Sequence, residues 1–408
     1  MRLLIVTQYF WPENFRVNDL VKEMVKRGHS VTVLTGYPNY PDGKIFKEFL
    51  QAPDDFSNLD GAEIIRTPLV PRGTGSVRLL LNYLCFALSA SIWGAWKLRR
   101  RKFDVIFTPQ LSPVSLALPA VLLRSLKRIP HVMWVLDLWP DTLEATGTVR
   151  SKKMLALVGK LVSFIYFRTD LILAQSQSFV PQIKKLAKRN ANVEYFPSWA
   201  EAIFGEQDVL PAPEIASKEL TDFNVMFAGN IGDAQDFPAI LKAAELLREQ
   251  KHIRFLIVGD GRLALWVSQE IVRRDLTGSV KMLGRYPLER MPAFFKHADA
   301  LLVSLKAEPI FSMTIPGKLQ SYLAAGVPIL AMLDGEGAEV LRNNDAGYVC
   351  AAGDAPGLAA MILKMASLSR SEQEKLGAKA KALGSFEFDR THLINRLEQR
   401  FNEVEYQA

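Results

Sequence analysis

The chain has 408 residues, 49% apolar and 23% charged, a globular balance that excludes a disordered or fibrous protein. Two cysteines, Cys85 and Cys350, exclude a disulfide-built secreted scaffold and fit a reducing compartment. The formal charge of +7 is uneven: residues 1–198 carry 27 Lys and Arg against 15 Asp and Glu, and the remainder 23 against 28. A basic half points to an anionic surface. With no RNA-binding aromatic motif or zinc-ligand spacing, that surface is expected to be the inner face of a membrane and not nucleic acid.

No signal peptide is visible, since Leu3-Leu4-Ile5-Val6 is too short for one and the right length for a buried strand. Further strands are predicted at Ser30–Thr35, Glu63–Thr67, Asp104–Thr108, His131–Asp137, Asp170–Ala174 and Val193–Phe196, the first running Arg2–Thr7. Amphipathic stretches such as Val17–Arg27 and Lys153–Phe167 lie between them. Strands alternating with helices make a parallel sheet covered on both faces, with ligands beyond the carboxyl ends of its strands.

Within this series, Leu79–Trp96 is uncharged and runs into Lys97, Arg99, Arg100, Arg101 and Lys102. Three roles are open to it: a transmembrane span, a buried crossover helix, or a helix whose exposed face lies on the bilayer with Trp93 and Trp96 at headgroup depth. A span would interrupt the sheet and is disfavoured.

Residues 199–221 mix Ala, Pro, Glu and Asp without periodicity and read as a link. A second series of strands follows at Asn224–Phe227, Arg254–Val258, Val280–Leu283, Ala300–Val303, Ile329–Met332 and Tyr348–Ala351. A last helix, about Asp389–Val404, carries Leu393, Leu397, Phe401 and Val404 on one face and is expected to pack back on the first half. The predicted fold class is α/β, two doubly wound Rossmann-like domains: 1–198 with a C-terminal helix of about 386–408, and 199–385.

The turn after the first strand, Gln8 to Arg16, contains no glycine, which makes the first half a poor dinucleotide binder. Its aromatic loop, with Glu13 and Arg16, suits a sugar face and a phosphate. The second half is different. Its strands end in Gly229-Asn230-Ile231-Gly232, in Gly259-Asp260-Gly261-Arg262 with Arg262 opening the next helix, and in Ser304-Leu305-Lys306. Pro316-Gly317-Lys318 and Gly335 to Glu339 begin two further helices, whose unpaired N–H groups suit phosphate.

The stretches FAGNIGDAQDFPAILKAAELL, IVGDGRLALW, KMLGRYPLERMPAFFKHADALLVSLK, IPGKLQSYLAAGVPIL and DGEGAEVLRNNDAGYVCAAGD resemble the donor half of retaining GT-B glycosyltransferases of family 4. TQYFWPENFRVNDL, RGHSVTVLTGYPNYPDGKIF and WVLDLWPD resemble the fucosaminyl-transferase-like branch that builds O-antigen and capsule. The resemblance implies two domains facing a central cleft, with Gly229, Asn230, Gly232, Gln235, Gly261, Arg262, Lys306, Gly335, Glu336, Gly337 and Glu339 binding the donor. Asp137 and Lys318 would be catalytic, and Glu13, Arg16, Trp139 and Asp141 would lie on the acceptor side. It also implies no bound metal and no cofactor, the nucleotide-sugar being substrate.

The departures bear on these residues. Asn230 and Gln235 stand where typical members have Arg and Lys, Met313 and Ser321 replace paired glutamates, Leu136 a histidine, and Gly317 the branch's serine. Asp236 stands where a glycine is common. The cationic role then falls largely on Lys318.

The function implied is transfer of a sugar from UDP, N-acetyl-L-fucosamine being the candidate, to a lipid-diphosphate-linked saccharide in lipopolysaccharide or capsule assembly. The enzyme would be peripheral on the cytoplasmic face of the inner membrane. A nucleotide-sugar 2-epimerase of the same architecture and a non-catalytic membrane scaffold are the alternatives.

Overall fold

The structure, a computed structural model, describes residues 1–73, 75–188, 191–205, 209–215 and 222–407. Residues 206–208 and 216–221 of the expected link lie outside these. The chain divides into two compact units, Met1–Phe196 with Ile394–Ala408, and Pro197–Leu393.

The first unit is built on β1 (Arg2–Val6), β2 (Ser30–Gly36), β3 (Asn58–Leu59), β4 (Ala62–Thr67), β5 (Val105–Gln110), β6 (His131–Val135), β7 (Leu171–Ala174) and β8 (Val193–Tyr195). Their order is β3-β4-β2-β1-β5-β6-β7-β8, parallel throughout except β3 against β4. Every residue of β5, β6 and β7 is buried, as the continuous apolar runs require of a sheet covered on both faces. β3 lies outside the predicted strands, since two residues at a sheet edge are too few to show a period. His131, wholly buried beside Thr108 and Thr169, is pushed down to about 3 by burial and stays neutral.

The helix Arg390–Gln407 joins this unit from Ile394 onward. Phe401 meets Phe107 with ring centroids 5.2 Å apart, and Glu398 binds both Arg27 (2.9 Å) and His29 (2.8 Å).

The predicted Leu79–Trp96 segment lies within the helix Ser76–Leu98. Phe86, Ala90, Leu98 and Asn82 are buried against the sheet, whereas Val77, Leu80, Leu81, Leu84, Leu88, Ile92, Trp93 and Trp96 are exposed. By length and composition it could cross a membrane, yet one side is locked into the core. It is a crossover helix with an apolar outer face.

The second unit carries β9 (Phe223–Ala228), β10 (Ile253–Val258), β11 (Val280–Gly284), β12 (Ala300–Ser304), β13 (Ile329–Met332) and β14 (Tyr348–Cys350), all parallel, in the order β11-β10-β9-β12-β13-β14. Phe227, Phe237, Ile240, Leu241, Ile257 and Leu358 lie in its core. The units match the predicted α/β class of two Rossmann-like domains.

Candidate active site

In the second unit the turns after β10, β9, β12 and β13 leave one edge together, because these strands are neighbours and parallel. The glycines there permit close approach. A Cβ on Gly259 (φ +144°) would lie 1.9 Å from the Gly229 carbonyl oxygen, and one on Gly261 2.5 Å from that of Ile231. A Cβ on Gly335 (φ +66°) would meet Ser312 O at 1.9 Å, and one on Gly337 would be 3.1 Å from Pro316 Cδ. The Gly335 turn is thereby pressed against the segment leading to Lys318.

Lys318 lies in the first turn of the helix Gly317–Ala325. Its ammonium is buried, has no hydrogen-bond partner among the described residues, and sits 3.7 Å from the centre of the Phe227 ring. A Cβ on Gly229 would be 3.4 Å from Nζ. Burial pushes this lysine down to about 7. On the same helix the Tyr322 hydroxyl accepts from Ala228 N–H (2.9 Å) and donates to Ala228 O (3.1 Å), fixing the strand end beneath it.

The other expected donor residues lie on the turns at this sheet edge. Lys306 N–H donates to Ala234 O at 2.9 Å, and its charge opposes the upward push that burial gives the Asp236 carboxyl. Gln235 Oε1 accepts from Gly232 N–H (3.1 Å), so this side chain stabilises the turn itself. Asn230 is exposed, its amide 2.6 Å from where a Cβ on Gly232 would be. Arg262 is exposed and bridges Asp233 at 2.5 Å. It does not open a helix as expected: the helix is Ala264–Arg273, because Gly261 and Arg262 lie in the turn that crosses Ile231. Glu336 is half-buried and Glu339 exposed at the start of the helix Glu336–Asn343.

The corresponding edge of the first unit is built from side chains. Asp137, two residues beyond β6, accepts from Ser112 Oγ (2.5 Å) and Trp139 Nε1 (3.0 Å) on one oxygen, and from Thr142 Oγ1 (2.6 Å) on the other. Trp139 is almost buried and meets Tyr83 edge-on with centroids 6.4 Å apart. Asp141 begins the short helix Asp141–Ala145, its carboxyl raised by burial. No local pattern in the sequence links Ser112, Thr142 and Tyr83 to Asp137.

Glu13, expected on the acceptor side, is engaged by the fold: its buried carboxylate accepts from the backbone N–H groups of Phe10 (3.1 Å), Asn39 (2.7 Å) and Tyr40 (2.7 Å). Burial raises it to about 7 against the pull of those bonds and of Arg66. It ties the loops after β1 and β2 together. Arg16 is the first residue of the helix Arg16–Lys26, at the end of that loop.

Two family models match the chain in succession. Residues 14–199 match a glycosyl transferase 4-like domain, and residues 222–367 match glycosyl transferases group 1. The chain is a glycosyltransferase. It is 26% identical over 341 residues to WcaI, named a colanic acid biosynthesis glycosyl transferase of Escherichia coli, covering 80% of this chain and 82% of that one. It is 27% identical over 143 residues to the amylovoran biosynthesis glycosyltransferase AmsK of Erwinia amylovora, covering 35% of each.

Among solved structures, Anabaena HepE in complex with UDP and glucose superposes with a TM-score of 0.70 at 15% identity, over 98% of this chain and 99% of that one. A sucrose-phosphate synthase of Thermosynechococcus elongatus gives 0.72 at 14%, over 100% of both. At such identities the likeness is one of fold, and that fold is GT-B. In this glycosyltransferase the group 1 match spans the turns around Lys318, and the 4-like match spans Asp137 and its three donors.

Proposed function

We propose that this glycosyltransferase moves a sugar from a nucleotide-diphosphate donor, with UDP-N-acetyl-L-fucosamine the candidate, to a lipid-diphosphate-linked saccharide in surface polysaccharide assembly. The observation that carries the donor half of the reading is Lys318, a buried cation with no counter-ion at a glycine-lined edge. A diphosphate is the kind of group that would satisfy it. As the sugar–phosphate bond breaks, negative charge grows on the leaving oxygen. Lys318 and the N–H groups of two helix starts are fixed donors for that charge, without a metal.

Retention would follow if the acceptor hydroxyl attacks on the face the diphosphate leaves. The new bond joins the acceptor oxygen to the anomeric carbon, the bond to the diphosphate breaks, and the hydroxyl proton passes to a phosphate oxygen. A double displacement would need Asp137 as nucleophile. Its three hydrogen bonds favour instead a fixed charge that orients the acceptor.

The acceptor half of the reading is supported by relatives named for colanic acid and amylovoran biosynthesis. The exposed apolar face of Ser76–Leu98, followed by Arg99, Arg100, Arg101 and Lys102, supports a peripheral site on the cytoplasmic face of the inner membrane.

Incubation with UDP-sugars and a lipid-diphosphate acceptor should release UDP and give a product of retained configuration by NMR. A free epimerised sugar nucleotide would assign the epimerase instead. Lys318→Ala should lower kcat at least tenfold with the circular dichroism spectrum unchanged; near-normal turnover would remove it from the site. Replacing the basic run 99–102 with glutamine should weaken flotation with anionic vesicles, and equal flotation would dismiss the membrane claim.

A further inference from the structure

The segment between β4 and the helix Ser76–Leu98 is pinned from beneath. Asn82, fully buried on that apolar helix, accepts from Gln8 Nε2 at 2.7 Å and donates to Val70 O at 2.6 Å. Asn39 Oδ1 accepts from Arg72 N–H at 2.9 Å. These bonds set the backbone at Arg72, and the aromatic loops set its side chain. The guanidinium lies 5.4 Å from the centre of the Tyr40 ring, hydrogen-bonds the Tyr9 hydroxyl, and its charge acts on the Tyr83 hydroxyl.

Tyr83 also feels Asp137 and meets Trp139, whose indole N–H is bound to Asp137. Arg72 is therefore part of the same sheet edge as the Asp137 constellation. Most other half-buried arginines of this unit are engaged, Arg27 with Glu23 and Glu398, Arg124 with Asp170, and Arg66 with two carbonyls. Among the described residues Arg72 has no ion-pair partner. A guanidinium held among ring faces with no counter-ion, one of its five donors on a neutral tyrosine hydroxyl, keeps the other donors for an anion, and phosphate matches their planar fork.

What lies next to it narrows the anion. Tyr83 belongs to the helix whose outer face exposes Leu80, Leu81, Leu84 and Leu88. One helix thus offers a ring to the polar edge and leucines to the outside, a few residues from a preset arginine. We infer that Arg72 binds the phosphoryl group of an amphiphilic acceptor, a prenyl-type diphosphate whose hydrocarbon chain runs along those leucines.

This rests on the lipid-linked acceptor proposed above, but it can fail separately. The test is binding of farnesyl diphosphate, with farnesol as the uncharged control, read by tryptophan fluorescence in saturating UDP so that the Lys318 edge is filled. The wild type should bind the diphosphate at least tenfold more tightly than farnesol. Arg72→Gln should lose that margin, Arg72→Lys should keep part of it, and UDP affinity should be unchanged in both.

Equal diphosphate affinity in wild type and Arg72→Gln, or parallel losses for diphosphate and farnesol, would overturn the inference. Flotation with acceptor-free anionic vesicles supplies a second arm. A loss confined to that arm would assign the arginine to bilayer headgroups and overturn the acceptor claim. Arginine-dependent diphosphate binding without any sugar transfer would leave this inference standing and sink the proposed function.

Discussion

The carboxyl edges of the two sheets are made in opposite ways. In the first unit the acids are satisfied: Asp137 has three side-chain donors and Glu13 three backbone donors. In the second unit the edge is mostly backbone, glycines packed to near contact, and the buried Lys318 ammonium has no hydrogen-bond acceptor among the described residues. A satisfied carboxylate is a rigid part, whereas a desolvated ammonium that meets a ring face but no hydrogen-bond acceptor is a cost, on the order of 5 kcal/mol if it stays protonated. Such a cost is relieved when an anion arrives. The first edge presents acids already held in place by the fold, whereas the second holds a buried ammonium that the fold leaves to be satisfied by an anion.

The comparison breaks most easily at the glycines. Gly259→Ala puts a methyl 1.9 Å from a carbonyl oxygen at a φ that L residues avoid, and neither backbone can yield. We expect a loss of roughly 4 kcal/mol in urea unfolding, or failure to fold. Gly278→Ala, which meets nothing within 4 Å, should change stability by less than about 0.5 kcal/mol. Comparable losses for both would mean that close approach is not what fixes the edge.

A second test addresses the unsatisfied charge. Lys318 has a folded value of about 7 against 10.5 unfolded, so the unfolded chain holds the extra proton between those values. Its cost is complete below pH 7, shrinks as pH rises and is gone above about 10.5. Lys318→Met should therefore stabilise the ligand-free protein by roughly 3 kcal/mol at pH 7 and by distinctly less at pH 9. UDP binding at pH 8, measured by calorimetry in two buffers, should take up a proton in the wild type and none in Lys318→Met. A destabilised variant would show that the contact with the Phe227 ring outweighs the cost of burying the charge.

These features differ in how openly the sequence displays them. The strands were legible because apolar runs bounded by Gly, Pro and Asp have few other uses, and the glycine turns because they recur at successive strand ends. The isolation of Lys318 was not, since it depends on what fails to surround it. Neither was the role of Glu13, whose donors come from Phe10, Asn39 and Tyr40 across two loops, nor the grip of Ser112 on Asp137 from 25 residues away. Sequence reading sees residue types at spacings along the chain. It does not see which acid is already occupied.

Glu13 supplies the mildest test, on the satisfied side. Its carboxyl titrates near 7 folded against 4.5 unfolded, so the folded chain binds the extra proton between those values and stability falls as pH rises from 4.5 to 7. Glu13→Gln removes this slope, but its amide nitrogen turns a donor toward backbone N–H groups that need an acceptor. The expected loss is about 2 kcal/mol at pH 6, with the pH dependence flattened. Because the defect lies in the loops after β1 and β2, acceptor KM should rise while the Kd for UDP stays constant. An equal effect on UDP would mean that the two edges are coupled, and the contrast between a preset edge and an incomplete one would no longer separate acceptor from donor.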